Sequence, residues 1–296
     1  MKVRIFEVGP RDGLQNESEV LTVEQKIQFI SLLLAAGHKD IEAGAFVRPD
    51  KIPQMADTKN LLSRLPSAKN VNFWSLVPNE RGYQDALASK VKNIAIFTAA
   101  SETFNQKNIN ASIDESFERF KLFVPDAKKR KIKIRGYVST AFGCPYEGKI
   151  NPKVVLKVTE RLVKLGCDEL SIGDTIGVAN PTQVHALAKK LLKIAGPKKL
   201  ALHFHDTRGT ALANILAGLE EGVRAFDSSS AGIGGCPYAP GAAGNVATDD
   251  LLYMLSEMGI ETGINLKLQV KASEFVQRIL GRKLPSKYLQ AALATP

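Results

Sequence analysis

Cysteine is scarce in this chain: among 296 residues only Cys144, Cys167 and Cys236 carry thiols, and no Cys-x-x-Cys pair occurs. That excludes a disulfide framework and a zinc ribbon. No apolar run reaches the ~20 residues that a membrane-spanning helix needs; the longest, 27–36, is interrupted by Gln28 and Ser31. Strand-like Val3-Arg4-Ile5-Phe6 starts almost at the first residue. No signal or transit peptide is therefore expected, no membrane partner either, and the cytoplasm is the expected compartment. Acidic residues are outnumbered, 30 against 40 basic ones, which leaves a net charge of +10. The basic residues are spread over many helix faces, and the one dense run, Lys128-Lys129-Arg130-Lys131, reads as a solvated helix end. No nucleic-acid partner is expected, and a phosphate-rich small ligand fits the charge better. What remains, 44% hydrophobic and 24% charged, is an ordinary globular composition with ample core.

Short β-branched runs alternate with amphipathic stretches along the whole chain. Strands are expected to begin near Arg4, Asp40, Val71, Val91, Ile132, Asp168, Lys199 and Arg224. Helical patterns between them include 23–36, 113–127, 152–165 and 181–194. Eight β/α units without a composition shift predict an α/β protein of the closed (β/α)8, or TIM-barrel, class, with 1–296 forming one catalytic domain. Two further helical segments, 266–280 and 285–293, make 262–296 a helical appendage outside the barrel.

Such a barrel requires its chemistry at the carboxyl ends of the strands. Gly9-Pro10-Arg11-Asp12-Gly13 follows strand one, and Glu42 sits in strand two. Strand five carries Arg135, Tyr137 and Ser139 on one face, so a buried Arg135 needs a partner, and Glu42 is one candidate. Strand six ends in Gly173-Asp174-Thr175 and strand seven in His203-Phe204-His205. Alternate strand residues share a face, so the two imidazoles converge on one point, as a metal ion requires. Leu200, Leu202 and Phe204 would then face the helices. After strand eight comes a Gly/Pro-rich loop, 234–245, bearing Cys236, which suits a moving cover with a reactive group.

Each signal has a plainer reading. Two inward histidines with nothing to bind would leave buried nitrogens in need of partners. Asp12 suits a turn, Asn245 suits the N-cap of a following helix, and Asp or Thr in 174–177 and 206–209 suits an N-cap as well. Cys144, in a similar Gly-Cys-Pro-Tyr setting, is barely separable from Cys236, and whether the two oxidise to one another stays open. His185 lies on a polar helix face, and His38 in the turn before strand two. The joint placement of the remaining residues on one barrel face is the strong observation.

That constellation resembles the 3-hydroxy-3-methylglutaryl-CoA lyase family. The likeness rests on Gly9-Pro10-Arg11-Asp12-Gly13-Leu14-Gln15-Asn16-Glu17, Val138-Ser139, the loop 143–149, Ile172-Gly173-Asp174-Thr175-Ile176-Gly177, His203-Phe204-His205-Asp206-Thr207 and Gly234-Gly235-Cys236-Pro237-Tyr238-Ala239. It covers nearly the whole chain. The resemblance implies Asp12, His203, His205 and Asn245 as ligands of a divalent cation, Mg²⁺ or Mn²⁺. It implies Arg11, Glu42, Asp174, His203 and Cys236 as catalytic groups, and Arg11, Arg135, Tyr137, Ser171 and Thr175 as substrate-binding ones. The implied reaction is retro-Claisen cleavage of an acyl-CoA to acetoacetate and acetyl-CoA, with His203, Asp12 and Asp174 all open as the initial base. A homodimer is implied too. Two departures bear on specificity: Ala43-Gly44-Ala45 stands where hydroxyl residues are common, and Arg208 where tyrosine is common. The alternatives are a lyase for a related 3-hydroxyacyl-CoA or a Claisen-condensing synthase of the isopropylmalate or homocitrate type. A barrel amidohydrolase would want its His-x-His on an early strand.

Cys236→Ala is expected to cut turnover by orders of magnitude while sparing metal affinity. Near-normal turnover in that variant would remove Cys236 from the proton-donating role.

Overall fold

The computed structural model describes residues 1–66, 68–234 and 244–294. Eight parallel strands close into a barrel in sequence order. They are β1 (Arg4–Glu7), β2 (Asp40–Ala45), β3 (Asn72–Leu76), β4 (Asn93–Ala99), β5 (Lys133–Ser139), β6 (Glu169–Asp174), β7 (Leu200–Phe204) and β8 (Ala225–Ser228). The expected (β/α)8 class is therefore the observed one. Six strands begin one or two residues later than the apolar pattern suggests, because the preceding residue belongs to the connecting turn.

The helices are α1 (Val23–Ala36), α2 (Thr58–Arg64), α3 (Glu80–Ala88), α4 (Glu102–Ile109), α5 (Ile113–Lys121) and α6 (Val124–Lys129). They continue with α7 (Pro152–Leu165), α8 (Pro181–Ala195), α9 (Ala211–Glu221), α10 (Thr248–Glu257), α11 (Leu266–Ile279) and α12 (Lys287–Ala294). Among these, no helix is long and apolar enough to cross a membrane. Capping follows the sequence: Thr22 and Gln25 form a reciprocal capping box at α1, and Asn180 and Gln183 another at α8. One expectation fails. The pattern over 113–127 is two helices, α5 and α6, because Pro125 in the first turn of α6 has no N–H to continue the ladder from α5. The run 128–131 ends α6, with Lys128 paired to Asp168 and Arg130 to Asp126.

Leu200, Leu202 and Phe204 of β7 do pack outward into the layer shared with the helices. The barrel interior is ionic rather than apolar around Arg135, which is fully buried. Its partners are Asp227 of β8 and Glu169 of β6, not Glu42. The register explains this correction. Arg135 lies opposite Glu169 near the start of β5, whereas Glu42 accepts a bond from Tyr137, one inward position further along. The Arg135 guanidinium also lies 3.7 Å over the Phe6 ring, so its face is covered as well as its edge.

The C-terminal helices are held by polar as well as apolar contacts. Ala272, Phe275 and Val276 of α11 share a core cluster with Phe29, Ile30 and Leu33 of α1. Within that layer, Gln269 joins His38 Nε2 at 2.7 Å and donates to Ser230 Oγ at 2.9 Å. Ser230 in turn donates through both its N–H and its hydroxyl to Glu7. α11 is thereby linked to the segment after β8 and to the end of β1.

His38 is fully buried, and burial lowers its pKa from 6.5 to about 4. The unfolded chain takes up a proton near 6.5 and the folded one only near 4, so this residue's contribution to stability is lost as pH falls through that window. The difference in urea midpoint between the wild type and His38→Gln should be widest above pH 6.5 and narrow toward pH 4. A constant difference would contradict a buried neutral His38.

Candidate active site at the carboxyl ends of the strands

β1 runs into a π-helical turn, Gly9–Gly13, in which the amides of Arg11, Asp12 and Gly13 all approach the Val8 carbonyl, at 3.1, 2.8 and 3.2 Å. Wide turns of this kind are uncommon and concentrate at functional sites. Its two glycines are there for space. A Cβ on Gly9 would lie 2.6 Å from Glu7 Oε1, and one on Gly13 would lie 2.6 Å from Ile233 Cγ1.

The turn points Arg11 and Asp12 into the barrel mouth. Arg11 donates through Nε to Glu42 Oε2 at 2.7 Å and through Nη1 to Asp12 Oδ1 at 2.8 Å. Its side chain is 8% exposed and that of Glu42 is 0% exposed, so the pair is a buried one. Tyr137 donates to the same Glu42 oxygen at 3.2 Å. Glu42, Arg11 and Tyr137 are thus brought together.

β7 places the His203 and His205 rings with centroids 5.1 Å apart. The metal-capable atoms of Asp12, His203 and His205 lie within 4.8 Å of one another. Asn245 is not a helix N-cap: Ala247 holds that position for α10. Its amide instead donates to Asp12 Oδ2 at 2.9 Å and to the Ile233 carbonyl at 3.3 Å, while its Oδ1 is buried without a hydrogen-bond partner. His205 Nδ1 is likewise buried and unpartnered. A carboxylate, two imidazoles and an orphaned amide oxygen form a donor set that a divalent cation fits.

The charges agree with that fit. Burial opposes ionisation of Asp12, yet Arg11, His203, His205 and the Asn245 amide together hold its pKa down at about 2. Burial, aided by the neighbouring His203, lowers His205 to about 3, which keeps its imidazole neutral, the form that ligates metals. Arg11 stays cationic, because Glu42 and Asp12 outweigh its burial.

The other expected residues divide. Tyr137, Ser171 and Thr175 line the same cavity, which has a volume of about 1040 Å³. Thr175 Oγ1 also accepts the Thr140 amide at 2.8 Å. Arg135 is fully buried and does not itself line the cavity, though its guanidinium lies 5.2 Å from the ring centroid of the lining Tyr137. Asp174 is buried, and its oxygens accept the amides of Val178 at 3.0 Å and Ala179 at 2.8 Å, so its carboxylate organises the loop before α8. It does not cap that helix; Asn180 does. Asp206 accepts the Ala211 amide at 2.9 Å, while the N-cap position of α9 belongs to Thr210. Cys236 lies outside the described residues, and with it any pairing to Cys144. Cys144 itself is buried, its Sγ 3.0 Å from Ser101 Oγ.

Two groups escaped the sequence reading. Arg48, Lys51, Lys59, Arg81, Lys107 and Arg119 also line the cavity. All but Arg119 lie in or just beyond the loops after β2, β3 and β4, and those loops all open on the catalytic face; that position was the available signal. Asp227 was missed as well, although an acidic residue inside the apolar Ala225-Phe226-Asp227 run marks an inward-facing charge.

The HMGL-like family profile matches residues 2–276. The chain belongs to that family. A hydroxymethylglutaryl-CoA lyase of Pseudomonas mevalonii is 49% identical over 282 residues, covering 94% of this chain and 93% of the relative. The crystal structure of the hydroxymethylglutaryl-CoA lyase from Pseudomonas aeruginosa superposes with a TM-score of 0.97 at 45% identity, covering 100% of this chain and 98% of that one. An HMG-CoA lyase from Acinetobacter baumannii in complex with coenzyme A and 3-methylmalate gives a TM-score of 0.95 at 38% identity, covering 99% and 96%.

Glu42→Ala leaves the buried Arg11 charge with Asp12 alone. Urea denaturation should show a loss of about 3–5 kcal/mol, as for other broken buried pairs. A loss of about 1 kcal/mol or less, the worth of an exposed pair, would show that Glu42 does not hold Arg11 in solution.

Proposed function

We propose that this chain is a carbon–carbon lyase that cleaves 3-hydroxy-3-methylglutaryl-CoA to acetoacetate and acetyl-CoA. The observation that carries the reading is the convergence of Arg11 and Asp12 from the first strand with His203 and His205 from the seventh in one large cavity, in a chain of the HMGL-like family. Asp12, His203, His205 and Asn245 would hold Mg²⁺ or Mn²⁺. Such an ion supplies Lewis acidity toward a tertiary hydroxyl and an adjacent carbonyl oxygen.

The chain's own residues account for the rest. A base takes the C3 hydroxyl proton, the C2–C3 bond breaks, a ketone forms at C3, and the bond's electron pair passes to the acetyl-CoA enolate, which then takes a proton at C2. Asp12 and His203, which line the cavity, would be candidates for the base, and Asp174, whose oxygens accept loop amides, would be the third. Arg11 is held cationic and aimed by Glu42, which suits it to stabilise negative charge on oxygen. Tyr137, Ser171 and Thr175 would contact the acyl part, and Arg135 would act from below through its carboxylate partners. Cys236 remains the proposed proton donor to the enolate. The cavity's basic side chains suit the phosphates of a CoA tail. A cytoplasmic homodimer completes the proposal, and sedimentation of the purified chain tests the dimer.

The deciding experiment is cleavage of 3-hydroxy-3-methylglutaryl-CoA with EDTA and with added Mg²⁺ or Mn²⁺. Metal-dependent release of acetyl-CoA is expected. Condensation of acetyl-CoA with a 2-keto acid in place of thioester cleavage would favour a synthase instead.

A further inference from the structure

Asp227 has no part in the constellation read from the sequence, yet its carboxylate faces a proposed metal ligand without being one itself. β7 and β8 pair with His203 alongside Asp227. Asp227 Oδ2 lies 3.3 Å from His203 Nδ1 and accepts the Ser171 hydroxyl at 2.8 Å, while Oδ1 is bonded to the Arg135 guanidinium. The carboxylate is fully buried, so it cannot swing away to solvent. Arg135 is fixed in turn by Glu169, 2.5 Å from its other terminal nitrogen, and by the Phe6 ring beneath. Neither Nδ1 makes a hydrogen bond of good geometry, but that of His203 faces a carboxylate at 3.3 Å, whereas among the described residues no ion pair involves His205. The two histidines of the cluster are therefore unequal: one is oriented from behind, the other is not.

We infer that Asp227 is a positioning residue that fixes the ring and tautomer of His203, and thereby raises the affinity of the Asp12–His203–His205 cluster for a divalent cation. A carboxylate facing Nδ1 keeps the proton on that nitrogen and leaves the Nε2 lone pair for a ligand. Arg135, anchored on both sides, keeps the carboxylate charged and still. Strand eight thus sets the geometry of a ligand on strand seven. The inference rests on the reading that this cluster holds the cation.

The test is Mn²⁺ binding to the metal-stripped full chain, followed by the electron paramagnetic resonance of free Mn²⁺. Asp227→Asn should weaken binding by about 10–100-fold, the usual consequence of losing a partner behind a ligating histidine. Glu169→Gln loosens the same Arg135 without touching His203 and should weaken binding by much less than Asp227→Asn does. Equal affinity in Asp227→Asn and wild type overturns the inference, and so does an equal loss in both variants, which would mean only that the ionic floor supports the fold. His203→Ala separates the two levels: if it weakens Mn²⁺ binding while Asp227→Asn does not, positioning alone fails. If His203→Ala has no effect, the metal-site reading fails and takes the inference with it. Should Asp227→Asn not fold, the ring ¹⁵N shifts of His203 in the alkaline, metal-free wild type decide: protonation at Nδ1 is expected, and protonation at Nε2 overturns the proposal.

Discussion

The site depends on one constraint, the closure of β8 against β1. Phe6 pairs with Asp227 and Glu7 with Ser228. That register brings the turn after the first strand against the segment after the last, so that Asp12 meets Asn245 across 233 positions of sequence. Two close approaches make the meeting tight: Gly13 against Ile233, and Gly234, at a φ of +100°, against the Asn245 amide and Gly13. A side chain at either glycine would push the two segments apart and separate the oxygen donors from the imidazoles. Closure thus positions the donor set as well as removing a sheet edge.

Closure alone would bury several charges at a cost, and the barrel offsets that cost by pairing its arginines with carboxylates. In the mouth, Arg11 is shared between Glu42 and Asp12. On the floor, Arg135 is shared between Glu169 and Asp227, and Arg4 links Glu169 to Asp40. Buried pairs are weak evidence for net stability, because desolvation consumes most of the Coulombic gain. What they secure here is placement. Each arginine is held at two points, so a planar guanidinium cannot turn without unpairing a carboxylate.

The fold was legible because its signals are local. Apolar strands alternate with amphipathic helices eight times, glycine ends α1, α7, α8 and α9, and the failure at 113–127 came from a single proline inside an otherwise continuous helical pattern. The site was legible where strand parity applies: His203 and His205 share a face, and Tyr137 does point to the mouth. It was illegible where partners are chosen by depth in the barrel. Parity says that Arg135 faces inward but not how far down it lies, and the stagger of the strands, which no local pattern encodes, gave it Glu169 and Asp227 in place of Glu42. Asp174 and Asn245 show the same limit. Both are residue types at home in turns, and only the coordinates separate the one that binds a loop from the one that reaches Asp12.

Stagger and local packing also bear on which departures from the family pattern can touch substrate. The ladder between β2 and β3 slips between Glu42 and Gly44, which re-aims the residues that follow the glutamate. Gly44 is not among the residues that line the cavity, and a Cβ there would lie 2.8 Å from Thr58 Oγ1. That hydroxyl, carried on α2, accepts the Ala45 amide at 3.2 Å and donates to the Met55 carbonyl at 2.8 Å. Helix α2 thus brings a hydroxyl to the point where a side chain on residue 44 would need room. Of the three small residues, Ala45 alone lines the cavity. Arg208, for its part, bonds the carbonyls of Ile176 and Gly177 at 2.8 and 3.1 Å and stays out of the cavity lining. Of these departures, Ala45 is thus the one that itself lines the cavity, while residue 44 meets it only through the Thr58 hydroxyl.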